Sequence, residues 1–579
     1  MKVSLLFFLV FISALYTSAQ NYTDYLGAGH TIGITVTTGH TQNANNRGDK
    51  LVDGFPITDA ALLADASRFL AQATLGYDYN MIEMAAAMGY EAWLDEQFAL
   101  PRNAILDQMV EVATNGNGFD GPVFELDASM DQFRYAWWDN HMKNPDMLRH
   151  KMNYVLSQIF VVSAFGSDLF EDIGDFSSVY YDVLGQNTFG NFRTLLSEVS
   201  LNPMMGIYLS HLNNPRSDPA NNIHPDENYA REVMQLFSIG LYELNPDGSR
   251  RLDANGNVIP TYNNEDIREF AKIFTGFGDG GRMGEWGGFG TGSLRESGRA
   301  PMIMYEEHHE PGQKFLLNGQ VVPAGQTGMQ DFNAAMDNLF NHPNVGPFIG
   351  KALIQFLVSS NPSPAYIERV SRTFDANCNG VRGDMKAVIK AILLDPEARS
   401  CNALANPTGG MLREPIVRYT NFLKAFQFRA NPYFEVFLGR WYEATGQIPL
   451  FASTVFNFFQ PNFQPNGPIA NQNLVAPVFQ IHNSSTSIGF VNQTDDWTLK
   501  EEALRTDSQV AMDLSAEMAL ANTPAALVDR LSLLLAAGQI SPASKSIIVN
   551  ALNQLNGPAD RVNMAIYLIL ISPDYAILK

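Results

Sequence analysis

The sequence predicts a mainly α-helical protein: a large globular array of many helices with long ordered loops rich in Gly, Pro and aromatic residues, and at most minor β structure. Three observations predict it. From Asp59 onward, apolar residues recur every three or four positions through most of the chain, which places them on one face of a helix. Loops containing Gly or Pro separate the first of these periodic segments. Apolar residues make up 46% of the chain and charged residues 17%, enough to fill a core and too little charge for general disorder or a coiled coil. At 579 residues the chain exceeds the size at which one core stops growing, so the helical region, 57–579, is expected to divide into subdomains 57–440 and 441–579.

Residues 1–19, "MKVSLLFFLVFISALYTSA", combine Lys2, an apolar run from Leu5 to about Leu15 and small residues at the end, the pattern of an export signal. The run is short of the roughly 20 residues a spanning helix needs. No later segment reads as membrane-spanning, so the mature chain is expected to be periplasmic or extracellular without membrane insertion. Residues 20–56, rich in Gly, Thr and Asn, read as a flexible leader. A formal charge of −22 excludes nucleic acid as a partner, because that partner demands clustered Lys and Arg. Cys378 and Cys401 fit either one disulfide in an oxidising compartment or two free thiols, and spacing does not decide between them.

The first helical segments are "DAALLADASRFLAQATLGY", "YNMIEMAAAMGYEAWLDEQFA" and "MLRHKMNYVLSQIFVVSAF". Others are expected near 225–244, 264–275, 330–341, 345–358, 364–375, 384–394, 413–427, 524–536, 541–554 and 559–571. "AVIKAILLDPEA" and "AIYLILISPDYA" end alike, apolar into Asp or Ser and then Pro, which shared helix-stop chemistry explains more cheaply than duplication. Residues 276–328 and 440–500 lack clear period and read as ordered loops.

The blocks "ASRFLAQATLGY", "ENYAREVMQLFSIGLYELNPDG", "YNNEDIREFAKIFTGF", "HHEPGQKFLLNG", "NHPNVGPFIGKALIQFLVSSNPSPAYIERV", "GDMKAVIKAILLDPEA" and "RVNMAIYLILISPDYA" resemble, in order, those of the bacterial DUF1800 family. The resemblance covers roughly residues 60–579. It implies a helical exported protein of undefined activity, often encoded beside a DUF1501 protein of sulfatase-like or phosphatase-like character, which is the expected partner. Many members carry a "WHNHF"-like stretch and an "ELHTLG"-like helix end. Here "LSQIF" (156–160) and "QLFSIG" (235–240) stand instead, so the chain reads as a variant branch with apolar packing by Phe160 and Phe237 at those places.

In "HPDENYAREVMQLFSIGLYELNPDG" (224–248), Pro225 suits a first helical turn and Asp226 and Glu227 complement the positive end of the helix dipole. Glu227 and Arg231 form an i,i+4 pair in the favourable orientation. The expected role of Glu227, Arg231 and Glu232 is a buried clamp, with a substrate site as the alternative. His309 and Lys314, in the loop "HHEPGQK", could supply a base and a cation. Pro311 rules out a helical HExxH zinc motif. "DANCNGVRGD" places Asp375, Asn377, Asn379 and Asp384 at the spacing of a weak calcium loop that lacks its closing glutamate; an Asx-rich turn is the alternative. "LFASTVFNFFQPNFQPNG" (450–467) fills a core or lines an apolar or carbohydrate-stacking cleft. Two functions follow as expectations. One is an extracytoplasmic hydrolase-type enzyme acting on an envelope or extracellular polymer, with the 227–232 and 308–314 groups converging on one cleft. The other is a non-catalytic envelope binding or assembly factor.

Overall fold

In a computed structural model, the described residues are 59–114, 130–165, 170, 174–280, 289–290, 299–400, 406, 408–427, 429–430, 441, 444–500 and 510–579. The export signal, the leader and Cys401 lie outside them, while Cys378 is exposed. Helices dominate the described residues. Strands are confined there to four two-stranded antiparallel sheets, each two residues long per strand, and a few isolated bridges.

Local chemistry explains the helix ends. Asp59 accepts the N–H groups of Ala61 and Leu62 and opens the helix Ala60–Ala73. The expected segment 79–99 is two helices, Tyr79–Met88 and Tyr90–Ala99, because Gly89 takes φ +84° and breaks the ladder. Met147–Ile159 and Pro415–Ala425 are buried on nearly every side, their polar and charged side chains included. The later expected segments appear within a few residues of their limits as Asn264–Ile273, Gly328–Phe340, Val345–Leu357, Pro364–Asp375, Met385–Leu393, Pro524–Leu535, Pro542–Leu552 and Pro558–Leu570. The two Pro-ended repeats do more than stop a helix. Asp395 and Ser572 each cap a new short helix, Pro396–Arg399 and Pro573–Ala576, with Pro at its first turn.

Two expectations need correction. The segment 225–244 is helical only over Asn228–Gln235. Gly240, at φ +72°, returns its N–H to the Met234 carbonyl at 2.9 Å, which closes the helix, and residues 241–261 then form a bridged β excursion. Within 440–500 lies the helix Ser484–Thr498, whose poor helix formers hide a capping box between Asn483 and Thr486.

The apolar core is one contiguous cluster running from Leu62 to Leu578. It is continuous across residue 440: Tyr419 stacks on Trp441 at 4.4 Å, and Trp441 on Trp497 at 5.2 Å. The first described helix, Ala60–Ala73, packs on Pro524–Leu535. Among the described residues no helix is long and apolar enough to cross a membrane.

Buried histidines make this core sensitive to acid. His211 Nε2 donates to the Ser200 carbonyl at 2.8 Å, its Nδ1 is buried without a partner, and its ring stacks on Tyr229 at 3.9 Å. Burial pushes His211 down to about 4, and burial with the Arg382 charge pushes His342 to about 4. Both are neutral in the fold, whereas the unfolded chain takes up protons near 6.5. Stability is therefore lost as pH falls from 6.5 towards 4, against an opposite contribution from carboxyls whose titration burial raises, such as Glu414. The melting temperature should fall across that window in wild type. It should fall less in His211→Phe, which keeps a ring against Tyr229; equal slopes by calorimetry would exclude His211 as a source.

Candidate functional site

The helix Asn228–Gln235 turns Tyr229, Ala230, Val233 and Met234 into the core, and this leaves Glu227 and Arg231 on its outer side. Their ion pair spans 3.4 Å with both side chains 40% exposed, and Arg268 lies 3.7 Å from the same carboxylate. The expected buried clamp is thus a solvated surface pair. Glu232 is the buried acid of the motif, 6% exposed, and its Oε2 has no hydrogen-bond partner. Burial raises its carboxyl above the usual range, with Arg231 opposing. It stands beside Tyr208 and Tyr262, whose phenols are pushed up to about 12 by burial and then by the Glu232 charge.

His309 and Lys314 sit elsewhere in function. His309, 2% exposed, faces the Thr275 carbonyl with Nδ1 at 2.9 Å and Asp331 Oδ2 with Nε2 at 3.1 Å. Lys314, 1% exposed, donates to Asp331 and to the carbonyls of Glu310 and Gly312. Together they tie the loop 306–315 down onto the helix Gly328–Phe340. Gly276 permits this close approach, because a Cβ there would meet the backbone of Tyr305 and His309 at 2.9 Å. The polar atoms of His309 and Lys314 are spent on these partners, and no hydrogen bond or ion pair joins them to Glu227, Arg231 or Glu232.

The calcium candidates also find other uses. Asp375 pairs with Arg382. Asn377 Oδ1 accepts the N–H groups of Asn379 and Val381 at 2.9 and 2.8 Å, an Asx turn that leaves Asn379 exposed. Asp384 caps the helix Met385–Leu393 through the N–H groups of Lys386 and Ala387. Backbone N–H groups and the side chains of Arg382 and Asn377 thus consume oxygens a cation would need, and among the described residues no group of three or more His, Cys, Asp or Glu could hold a metal ion.

A cavity of about 120 Å³ opens where the end of Met147–Ile159, the turn after Gln235, the helix Val345–Leu357, the strand Met411–Leu412 and the loop 455–461 meet. Its wall is almost wholly apolar, with Leu236, Phe348, Met411, Val455 and Phe456 contributing, and Phe456 remains 44% exposed. Leu412, Phe459 and Val478, also in the wall, form a satellite cluster apart from the main core. The stretches 156–160 and 235–240 meet here: Gln158 and Ile159 of "LSQIF" and Leu236 of "QLFSIG" line the cavity. Phe160 and Phe237, fully buried, pack with ring centroids 5.4 Å apart.

The polar part of the wall is organised around Glu414. Its Oε2 accepts Tyr154 Oη at 2.7 Å and Gln447 Nε2 at 2.6 Å, and its Oε1 accepts Gln158 Nε2 at 3.2 Å. Gln158 Oε1 in turn accepts Asn457 Nδ2 at 3.0 Å. Burial raises the Glu414 carboxyl, against Lys151 and the three donors. Burial pushes Lys151 down to about 8, against Glu414. Beside it, Arg413 donates to the carbonyls of Tyr575 and Leu535, and Met411–Leu412 pairs with Ile577–Leu578.

Fold and cavity define a mainly helical protein with an apolar chamber over a hydrogen-bonded carboxylate. The family described as "Protein of unknown function (DUF1800)" matches residues 68–577, and the chain belongs to it. No curated protein and no solved structure matches the chain.

Sequence reasoning missed Lys151, Tyr154, Gln158, Glu414 and Gln447. A signal was present: "LREPIVRYTNFLKAF" and "LRHKMNYVLSQIF" carry isolated charges in otherwise apolar helices, and the charges of a helix buried all round are internal.

The two charged pairs differ in what their loss costs. Arg231→Ala should cost about 0.3 to 0.5 kcal/mol, as for exposed i,i+4 pairs. Lys314→Met should cost about 3 to 5 kcal/mol by leaving Asp331 buried without its cation. Chemical denaturation of the two variants checks the ranking, and similar losses would refute it.

Proposed function

We propose that this protein is an exported, non-catalytic binding factor that takes an apolar chain or ring of an extracytoplasmic ligand into the cavity beside Glu414. The observation that carries this reading is the wall itself, apolar around Leu236, Phe348 and Phe456 and reached past the exposed Phe456. A carbohydrate is the weaker guest. Each hydroxyl it buried without a partner would cost about 1 to 3 kcal/mol, and the polar groups of the wall are mostly engaged with one another. An apolar guest gains about 25 cal/mol for each Å² withdrawn from water. The hydrolase reading finds less support, because His309 and Lys314 are bound to Asp331 and Glu414 already accepts from three donors. Export rests on the sequence of residues 1–19.

The test is calorimetric titration of the mature protein with octanol, in wild type and in Ala352→Phe. Ala352 lines the cavity from the helix Val345–Leu357, so the added ring occupies the guest's space. Saturable binding is expected in wild type, weakened at least about tenfold in the variant, which corresponds to about 1.4 kcal/mol. Equal binding by a folded variant, or none by wild type, would overturn the reading.

A further inference from the structure

We infer that the ligand of this cavity is cationic: an apolar molecule bearing a protonated amine, seated by Glu232. The inference rests on the binding reading above and adds the charge of the guest and the place where that charge sits.

The charges nearest the wall are those of Glu414, in the lining, and of Lys151 behind it. The lining includes the carboxylate of Glu414 and not one Lys, Arg or His. An anionic amphiphile would enter against the field of a chain with net charge −22.

Glu232 supplies the seat. It stands four residues before Leu236, which lines the cavity, and the Leu236 N–H closes the helical bond to the Glu232 carbonyl at 2.9 Å. Residues so spaced lie on the same helix face, roughly 6 Å apart at Cβ. Glu232 therefore stands one turn from the apolar wall. It is 6% exposed, and its Oε2 has no hydrogen-bond partner. The adjacent cation, Arg231, is turned outward to Glu227. The phenol of Tyr262 is committed to Gln235 Oε1 at 3.2 Å. A buried carboxylate in this condition has no donor at Oε2 and only the outward-turned Arg231 as counter-charge, and an ammonium group provides a donor and a nearer charge together in a charge-assisted hydrogen bond. Tyr208 and Tyr262 beside it add aromatic surface of the kind that attracts cations. An amine at Glu232 with its chain running past Leu236 into the chamber satisfies both halves of the site.

The experiment compares octylamine, octanol and octanoate at pH 7 by calorimetry, in wild type and in Glu232→Gln, which keeps the side-chain shape. Wild type should bind octylamine at least about tenfold more tightly than octanol and should bind octanoate most weakly. In Glu232→Gln the ratio of octylamine to octanol affinity should fall to about one. Equal affinities for the amine and the alcohol in wild type would overturn the inference while leaving the cavity reading standing, as would a preference that survives Glu232→Gln. Failure of all three to bind would overturn both.

Discussion

The burial of the Glu414 carboxylate is the constraint on which the arrangement of the cavity depends. A carboxylate in that position is tolerable only if donors meet it, and it draws them from separate parts of the chain: Tyr154 and Gln158 from one helix, and Gln447 from beyond the residue 440 region. Through Gln158 the constraint passes on to Asn457. Those groups fix where the end of Met147–Ile159 and the loop after residue 450 must lie, and the apolar wall is built on the segments they position. Arg413 applies the same logic one residue away, with main-chain carbonyls of Tyr575 and Leu535 in place of side chains.

Several buried cations among the described residues are met by the backbone. Lys424 donates to the His141 carbonyl, Arg413 to those of Tyr575 and Leu535, and Lys314 divides its donors between two carbonyls and Asp331. A cation held by carbonyl dipoles needs fewer carboxylates around it. The Glu227–Arg231 pair, by contrast, lies at the surface. Glu232 differs from Glu227, the acid at the cap of its helix, because it is enclosed without any such arrangement.

Many helices were legible in the sequence because they are written in local periodicity and in caps such as Asp59, Asn263 and Thr327, which act within a few residues. Helix Ser484–Thr498 was not, since its residues are poor helix formers and tertiary packing of Phe490 and Trp497 holds it. The candidate site was legible only in part. The fate of Glu227 and Arg231 depended on which side of their helix met the core, and two neighbouring faces of one short helix differ in burial for reasons that lie in other segments. The aromatic stretch 450–467 was correctly marked as either core filling or cleft lining, and it does both: Phe459 is buried while Phe456 stays half-open. Glu414 escaped notice because its partners stand more than two hundred residues away, at Tyr154 and Gln158.

The chamber is assembled from pieces scattered between Gln158 and Val478, with a strand of its wall zipped to Ile577–Leu578. No fragment carries it. A guest that fits the chamber therefore recognises only molecules whose tertiary structure is already finished, and by mass action it withdraws those molecules from the unfolding equilibrium as a whole instead of stiffening one loop. Occupancy becomes a quality seal on the entire fold.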